Sequence, residues 1–262
     1  MKYGITELSI VPVRIDNKEQ SEQITQLLFG DTFEILEKRN SWYHILTSTD
    51  KYEGWIDIKL ATIISEKDYN TINKSKKKIT TDIITVVLKN NEPAPILLPA
   101  GSTFYNYNIN EKSFKIIDNI YKVNTSISKL PYNDIRKNII NLAIQFLNAP
   151  YLWGGKTNFG IDCSGFSQIV YKINNINIPR DASLQVNIGN TVNIINDSKP
   201  GDLAFFDNNE GNITHVGIFI NNQKIIHASG KVRIDKIDHQ GIYNEDINKY
   251  THNLRVIQNI ID

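Results

Sequence analysis

The only cysteine of the chain, Cys163, follows Asp162 and opens a run in which Phe166, Ile169, Val170 and Ile173 recur at helical spacing. That spacing puts the sulfur at a helix N-terminus, where unpaired N–H groups and the macrodipole favour thiolate. A thiol so placed can act as a nucleophile; a thiol elsewhere more often packs as a small hydrophobe. The flanks favour the nucleophile. Tyr151, Trp153, Gly154, Gly155, Ser164 and Gly165 surround the position, and glycines this dense beside large aromatics suit a backbone that comes close to a ligand.

A nucleophilic thiol needs a base, and the base needs an orienting partner. His215 lies in a strand-like run where it alternates with Gly217 and Phe219, and His227 lies in the next run on the face of Ile225. A three-residue loop over Asn221 to Gln223 sets Gly217 opposite His227 and leaves His215 diagonal to it on the same face, close enough for the two imidazoles to meet. A two-residue turn would put them on opposite faces, so the juxtaposition depends on that register. Two histidines with Cys163 or Asp207 could also hold zinc, but the ligands would come from distant segments with no spacing motif. His44, His239 and His252 have no comparable setting and receive no role.

Three segments must position these groups. From residue 1 to 64, short apolar and β-branched runs (Val11 to Val13, Gln23 to Phe29, Phe33 to Leu36, Trp42 to Thr47, Gly54 to Ile58) alternate with turn signals, a pattern of close strands without helical period that predicts a small barrel. A polar stretch, Ser65 to Thr81, leads into a second set of strand-like runs punctuated by Pro93, Pro95 and Pro99, predicting a divergent second barrel over 65–130. Lys74, Lys76, Lys77 and Lys78 in that polar stretch read as a solvated loop. Past Pro131, Ile135, Ile139, Leu142, Ala143 and Phe146 predict a helix. Runs at Asp202 to Phe206, Ile213 to Ile220 and Lys224 to Ala228 predict strands, so residues 131–262 form an α+β domain.

Composition narrows the partners. With 29 Lys and Arg against 28 Asp and Glu, a net charge of +1 supplies no field toward nucleic acid or acidic membranes. One cysteine excludes a disulfide framework. No run is long or apolar enough for a membrane span or signal peptide. The expectation is a cytoplasmic protein, although an exported one whose signal has been removed would show the same sequence. Oligomeric state is not set by these features.

Tyr151-Leu152-Trp153-Gly154-Gly155, Asp162-Cys163-Ser164-Gly165, Pro200-Gly201-Asp202-Leu203, His215-Val216-Gly217 and Ile226-His227-Ala228-Ser229 stand in the order found in NlpC/P60 cysteine peptidases, and the segment from Tyr132 to Ile257 resembles that family. The segment to Ile64, with Tyr52 ahead of Gly54-Trp55-Ile56, resembles a bacterial SH3 domain. The resemblance implies a papain-like fold in which Cys163 is nucleophile, His215 general base and His227 the orienting residue, with Tyr151 and the backbone N–H of Cys163 near the oxyanion and no metal or organic cofactor. It further implies cleavage of bacterial cell-wall stem peptides. Two SH3 modules ahead of the catalytic domain are similar to the γ-D-glutamyl-L-diamino acid endopeptidases that take small muropeptides with a free N-terminal L-alanine. There Asp181 would bind the substrate amine, with Ser164, Trp153, Tyr52 and Glu22 as further contacts. The match departs at Ala182, where serine is frequent, and at Ile24, where a carboxylate is expected and which Glu22 replaces on the same strand face. Two other functions share these features: wall binding by SH3 modules on an inert scaffold, and acyl transfer from the same thiol.

Overall fold

The computed structural model describes residues 2–125 and 127–261, in two compact units, Met1–Lys129 and Leu130–Asp262.

In the N-terminal unit, seven antiparallel strands are ordered Gln23–Leu28, Ile10–Arg14, Glu53–Asp57, Trp42–Thr47, Thr32–Arg39, Lys2–Ile5 and Thr62–Ile64. Their alternation buries Val11, Val13, Leu27, Phe33, Ile35, Ile45 and Ile56 together. A four-stranded sheet follows, ordered Ile96–Pro99, Ile84–Lys89, Asn119–Val123 and Ser113–Ile116, and Lys77–Ile79 pairs with Thr103–Tyr105. A second core joins residues from both parts: Phe29 packs its edge on Phe104, Phe114 and Tyr121, beside Ile5 and Ile64. Gly30 has φ +84°, and a Cβ there would lie 2.1 Å from the Thr103 carbonyl oxygen, so this crossing requires glycine.

The polar stretch contains a helix, Glu66–Lys74, which the apolar pattern does not reveal. Its start is set by Ser65, whose hydroxyl accepts from Asp68 N at 3.1 Å, and only Ile72 is buried.

In the C-terminal unit, Asp134 caps helix Ile135–Gln145 and Asp162 caps helix Cys163–Ile173, every residue of which is buried. That helix packs against a sheet ordered Asn190–Val192, Lys249–Asn259, Leu203–Asp207, Ile213–Asn221, Lys224–Ser229, Lys231–Ile237 and Gly241–Asn244. Lys249–Asn259 also pairs with Gly241–Asn244, which closes six strands into a barrel around Ala204, Phe206, Phe219, Ile225, Ile237, Ile242 and Ile257. The unit is α+β, as the sequence predicts, and adds three strands beyond Ser229 that the sequence reading does not resolve. Among the described residues, no helix is long and apolar enough to cross a membrane.

Candidate active site

Cys163 is the first residue of its helix, and Asp162 Oδ1 accepts from Gly165 N at 2.7 Å. The carboxylate also accepts from Gly154 N at 2.8 Å and faces the Arg180 guanidinium at 3.1 and 2.5 Å. Arg180, 2% exposed, donates as well to Ser164 Oγ at 2.7 Å. A bidentate, charge-compensated pair therefore clamps the helix start. The glycines that flank the thiol belong to this clamp: a Cβ on Gly165 would lie 2.3 Å from the Gly155 carbonyl oxygen. The loop carrying Tyr151 to Gly155 thus touches the helix backbone directly.

The opposite wall is the sheet. Gly217 pairs with His227, placing His215 and His227 diagonally on one face. The expected register holds by a different device: Asn221 pairs with Lys224, so the loop has two residues, and a bulge at Ile220 restores the face that a two-residue turn would have reversed. Gly217 leaves room for the diagonal, since its Cβ would meet Ile225 at 2.7 Å and His227 Cβ at 3.0 Å. His215 Nε2 lies 2.8 Å from His227 Nδ1, and His227 Nε2 lies 2.9 Å from Asp235 Oδ2. Asp235 stands opposite Ile225 on the next strand, so the second contact is again a diagonal step. Arg233 completes the line, donating to both Asp235 oxygens at 2.7 and 2.8 Å and to Asp246 at 2.8 Å.

Charge fixes the direction of this line. Burial alone would raise Asp235, but hydrogen bonds from His227 and Arg233 hold its carboxyl below the usual range. An ionised carboxylate only accepts, so His227 carries its proton on Nε2 and offers the Nδ1 lone pair. His215 then carries its proton on Nε2, leaving its Nδ1 lone pair for an acid outside the line. Burial keeps both rings neutral: it lowers His215 well below the ordinary imidazole value, with the neighbouring His227 and His252 adding to the effect, and lowers His227 against the pull of Asp235.

Burial also pushes the Cys163 thiol up to about 11, aided by the Asp162 charge and opposed by the N–H of Val216, by Arg180 and by the N–H of Ser164. Burial and the charge of the capping Asp162 thus work against the thiolate that the helix start favours. The Val216 contact places the sulfur against the residue that follows His215. Tyr151 is half-buried, its hydroxyl pushed up to about 12 by burial and by the nearby Cys163, so it stays a proton donor at neutral pH.

The other candidates are dispersed. Ser164 is buried within the Asp162–Arg180 clamp. Asp181 is half-buried, and its carbonyl starts the short helix Ala182–Gln185 by accepting from Leu184 and Gln185 at 2.9 Å. Trp153 is 58% exposed on the loop before the helix. Tyr52 and Glu22 belong to the N-terminal unit: Tyr52 ends the turn before Glu53–Asp57, its N–H on Thr47 Oγ1 at 2.9 Å, and Glu22 is exposed just ahead of Gln23–Leu28.

Three residues without a role in the sequence reading join the site: Asp235, Arg180 and His252. The His252 ring stacks on His215 with centroids 4.1 Å apart and planes 29° apart, and its Nδ1 lies 2.9 Å from Thr251 Oγ1. Alternation of Ile237 with Asp235 was the available signal for the carboxylate. His252 offered none, because the pairing that brings its strand back is non-local.

The NlpC/P60 family model matches residues 148–251, and the model of the bacterial dipeptidyl-peptidase Sh3 domain matches residues 13–59. The gamma-D-glutamyl-L-lysine dipeptidyl-peptidase of Bacillus subtilis (strain 168) is 27% identical over 225 residues, 78% of this chain and 71% of that one. Dipeptidyl-peptidase 6 of Lysinibacillus sphaericus is 26% identical over 249 residues, 87% of this chain and 89% of that one. The crystal structure of an NlpC/P60 family protein from Bacillus cereus ATCC 10987 shares the fold, with a TM-score of 0.81 at 18% identity, covering 99% of this chain and 100% of that one. Residues 148–251, which hold the clamped cysteine helix and the histidine-bearing strands, form an NlpC/P60 domain, and residues 13–59 form a bacterial dipeptidyl-peptidase SH3 domain.

Proposed function

We propose that the protein is a cysteine peptidase that hydrolyses the γ-D-glutamyl-L-diamino acid bond of small murein peptides bearing a free N-terminal L-alanine. The observation that carries this reading is the directed line from Asp235 through His227 to His215, ending beside a thiol at a clamped helix start. In this reading Cys163 Sγ attacks the γ-carbonyl as His215 Nδ1 takes its proton. Tyr151 and the Cys163 N–H hold the oxyanion, and the imidazolium returns the proton to the leaving amine. Water, deprotonated by His215, then cleaves the thioester and releases the thiol. Neutral resting partners suit this sequence, because charge is created only as the thiol attacks.

The name of the relative from Bacillus subtilis supports the substrate class. Asp181 is assigned to the substrate ammonium, with Trp153 and the Ser164 end of the clamp as neighbouring contacts. Tyr52 and Glu22 are assigned as contacts from the first barrel, in a chain divided at 64 and 130.

The test offers purified protein L-Ala-γ-D-Glu-L-Lys, its N-acetylated form and intact wall, with products read by mass spectrometry. The expected products are L-Ala-γ-D-Glu and lysine from the free tripeptide only, with none from Cys163→Ala. Release from wall without cleavage of the tripeptide overturns the substrate assignment, and activity in Cys163→Ala overturns the mechanism.

A further inference from the structure

The lysines read in the sequence as a solvated loop are instead ordered into a wall. Strand Lys77–Ile79 pairs with Thr103–Tyr105, Lys78 opposite Phe104 and Lys77 opposite Tyr105, and both aromatics are anchored in the N-terminal core. Lys76, Lys77, Lys78, Lys112 and Lys129 converge on one cleft of about 440 Å3. In a chain with 29 Lys and Arg against 28 Asp and Glu, five ammoniums around one concavity are a local segregation of charge.

Among the described residues Lys76, Lys78, Lys112 and Lys129 form no ion pair. Asp82 acts on Lys78 from nearby, while its Oδ2 accepts from Ser128 N at 2.9 Å. Lys78 is half-buried, and burial together with the like charge of Lys129 lowers its ammonium below the ordinary lysine value in spite of Asp82. Like charges held around a concave, partly desolvated surface are unfavourable until an anion arrives.

We propose that this cleft docks a phosphodiester polyanion that carries no bases, a chain of polyol units linked by phosphates. Lysine is a point charge without the planar fork of arginine, and among the described residues no arginine lines the cleft, so it reads charge density rather than the plane of a carboxylate. Repeating phosphates satisfy several such charges at once. Ile109, 65% exposed, with Ile127 and the lysine stems, offers alkyl surface to a carbon backbone between the phosphates. A strand with bases would need a series of stacking faces. Among the described residues the cleft has one aromatic ring, Tyr107, which is tilted against Phe104 with centroids 6.1 Å apart. This inference is independent of the peptidase reading.

The test measures binding of a fluorescent glycerol-phosphate hexamer to the full chain by anisotropy. Saturable binding is expected, weakening about tenfold or more between 50 and 200 mM NaCl. Lys78→Gln with Lys129→Gln should weaken it about tenfold. Lys76→Gln with Lys112→Gln, both exposed positions, should act in the same direction should Lys78 prove necessary for folding. Lys38→Gln with Lys122→Gln makes the same charge change outside the cleft and should leave binding intact. Absence of binding, an equal loss in the control pair, or equally tight binding of a single-stranded DNA with six phosphates overturns the proposal.

Discussion

Two buried polar networks meet at Cys163, and they are built on opposite principles. On the helix side, Asp162 and Arg180 are charged partners fixed by two parallel contacts and by the N–H groups of Gly154 and Gly165. On the sheet side, His215 and His227 are kept neutral, and a single carboxylate at the far end orders their protons. The first network is compensated within itself and can only hold position. The second has one lone pair left over at the end nearest the thiol and can move a proton.

Cutting the sheet line one member at a time should separate the two networks most clearly, because loss of turnover should decay with distance from the thiol. His215→Ala is expected to cost about 10^4–10^6 in kcat and His227→Ala about 10^2–10^4. Asp235→Ala, which only releases the His227 tautomer, is expected to cost about 10- to 100-fold. The double variant His215→Ala, His227→Ala should be no worse than His215→Ala, since the residues act as one unit. Steady-state kinetics on the free tripeptide reads all four. Equal losses at the three positions would mean that the line is structural.

Cutting the helix side should act on stability instead. Arg180→Ala leaves a carboxylate buried beside the cysteine without its counter-charge, an expected loss of about 3–5 kcal/mol in denaturant unfolding of the C-terminal unit. A loss under about 1 kcal/mol would show the clamp to be incidental.

How far these networks can be read from sequence follows from how local they are. The cysteine helix is legible because its cap Asp162 and its stripe of Phe166, Ile169, Val170 and Ile173 lie within a dozen residues. The faces of His215 and His227 are legible from period-two alternation, yet their register rests on a bulge at Ile220 that no turn residue announces. Helix Glu66–Lys74 hides because it buries one residue, and only Ser65 with Asp68 marks its start. Arg180 and His252 are not legible at all. Arg180 follows Pro179 in a stretch without periodicity, and His252 reaches the site through a strand that closes the barrel from the chain's far end.

A smaller effect distinguishes neutral from ion-paired resting partners. The helix position of Cys163 suggests a thiolate below neutral pH, whereas burial and Asp162 push the thiol up to about 11. Iodoacetamide alkylation is therefore expected to be slow at pH 6, and to keep rising beyond the ~8.5 at which an ordinary thiol levels off. A plateau reached below pH 7 would establish a thiolate–imidazolium pair and make both networks electrostatically active.

The smallest expected effect belongs to His252, which lies outside the hydrogen-bonded line but is stacked on its terminal ring. Burial, reinforced by His227 and opposed by Asp235, lowers it to about 4. A group whose folded value is depressed contributes stability that is complete above its unfolded value of about 6.5 and is lost as pH falls toward the folded value. The window is thus about pH 6.5 to 4, and the unfolded chain takes up the proton first. His215 and His227, also lowered, lose stability from the same upper edge. The facing groups of His252 are His215, His227, Asp235 and the Thr251 hydroxyl, with Phe206 at 5.9 Å, so a charge on its ring would chiefly oppose an imidazolium at His215. His252→Phe keeps an aromatic ring against His215 and removes the titration. The acid-side loss of Tm between pH 7 and 5 should shrink by a few degrees relative to wild type, with little change at pH 8. In the same variant the acid limb of kcat/KM should move to higher pH, because His215 takes up its proton more readily without a second imidazole stacked against it. Superimposable Tm and kcat/KM profiles for the two proteins would reduce His252 to packing and leave the sheet network to the hydrogen-bonded line from Arg233 to His215.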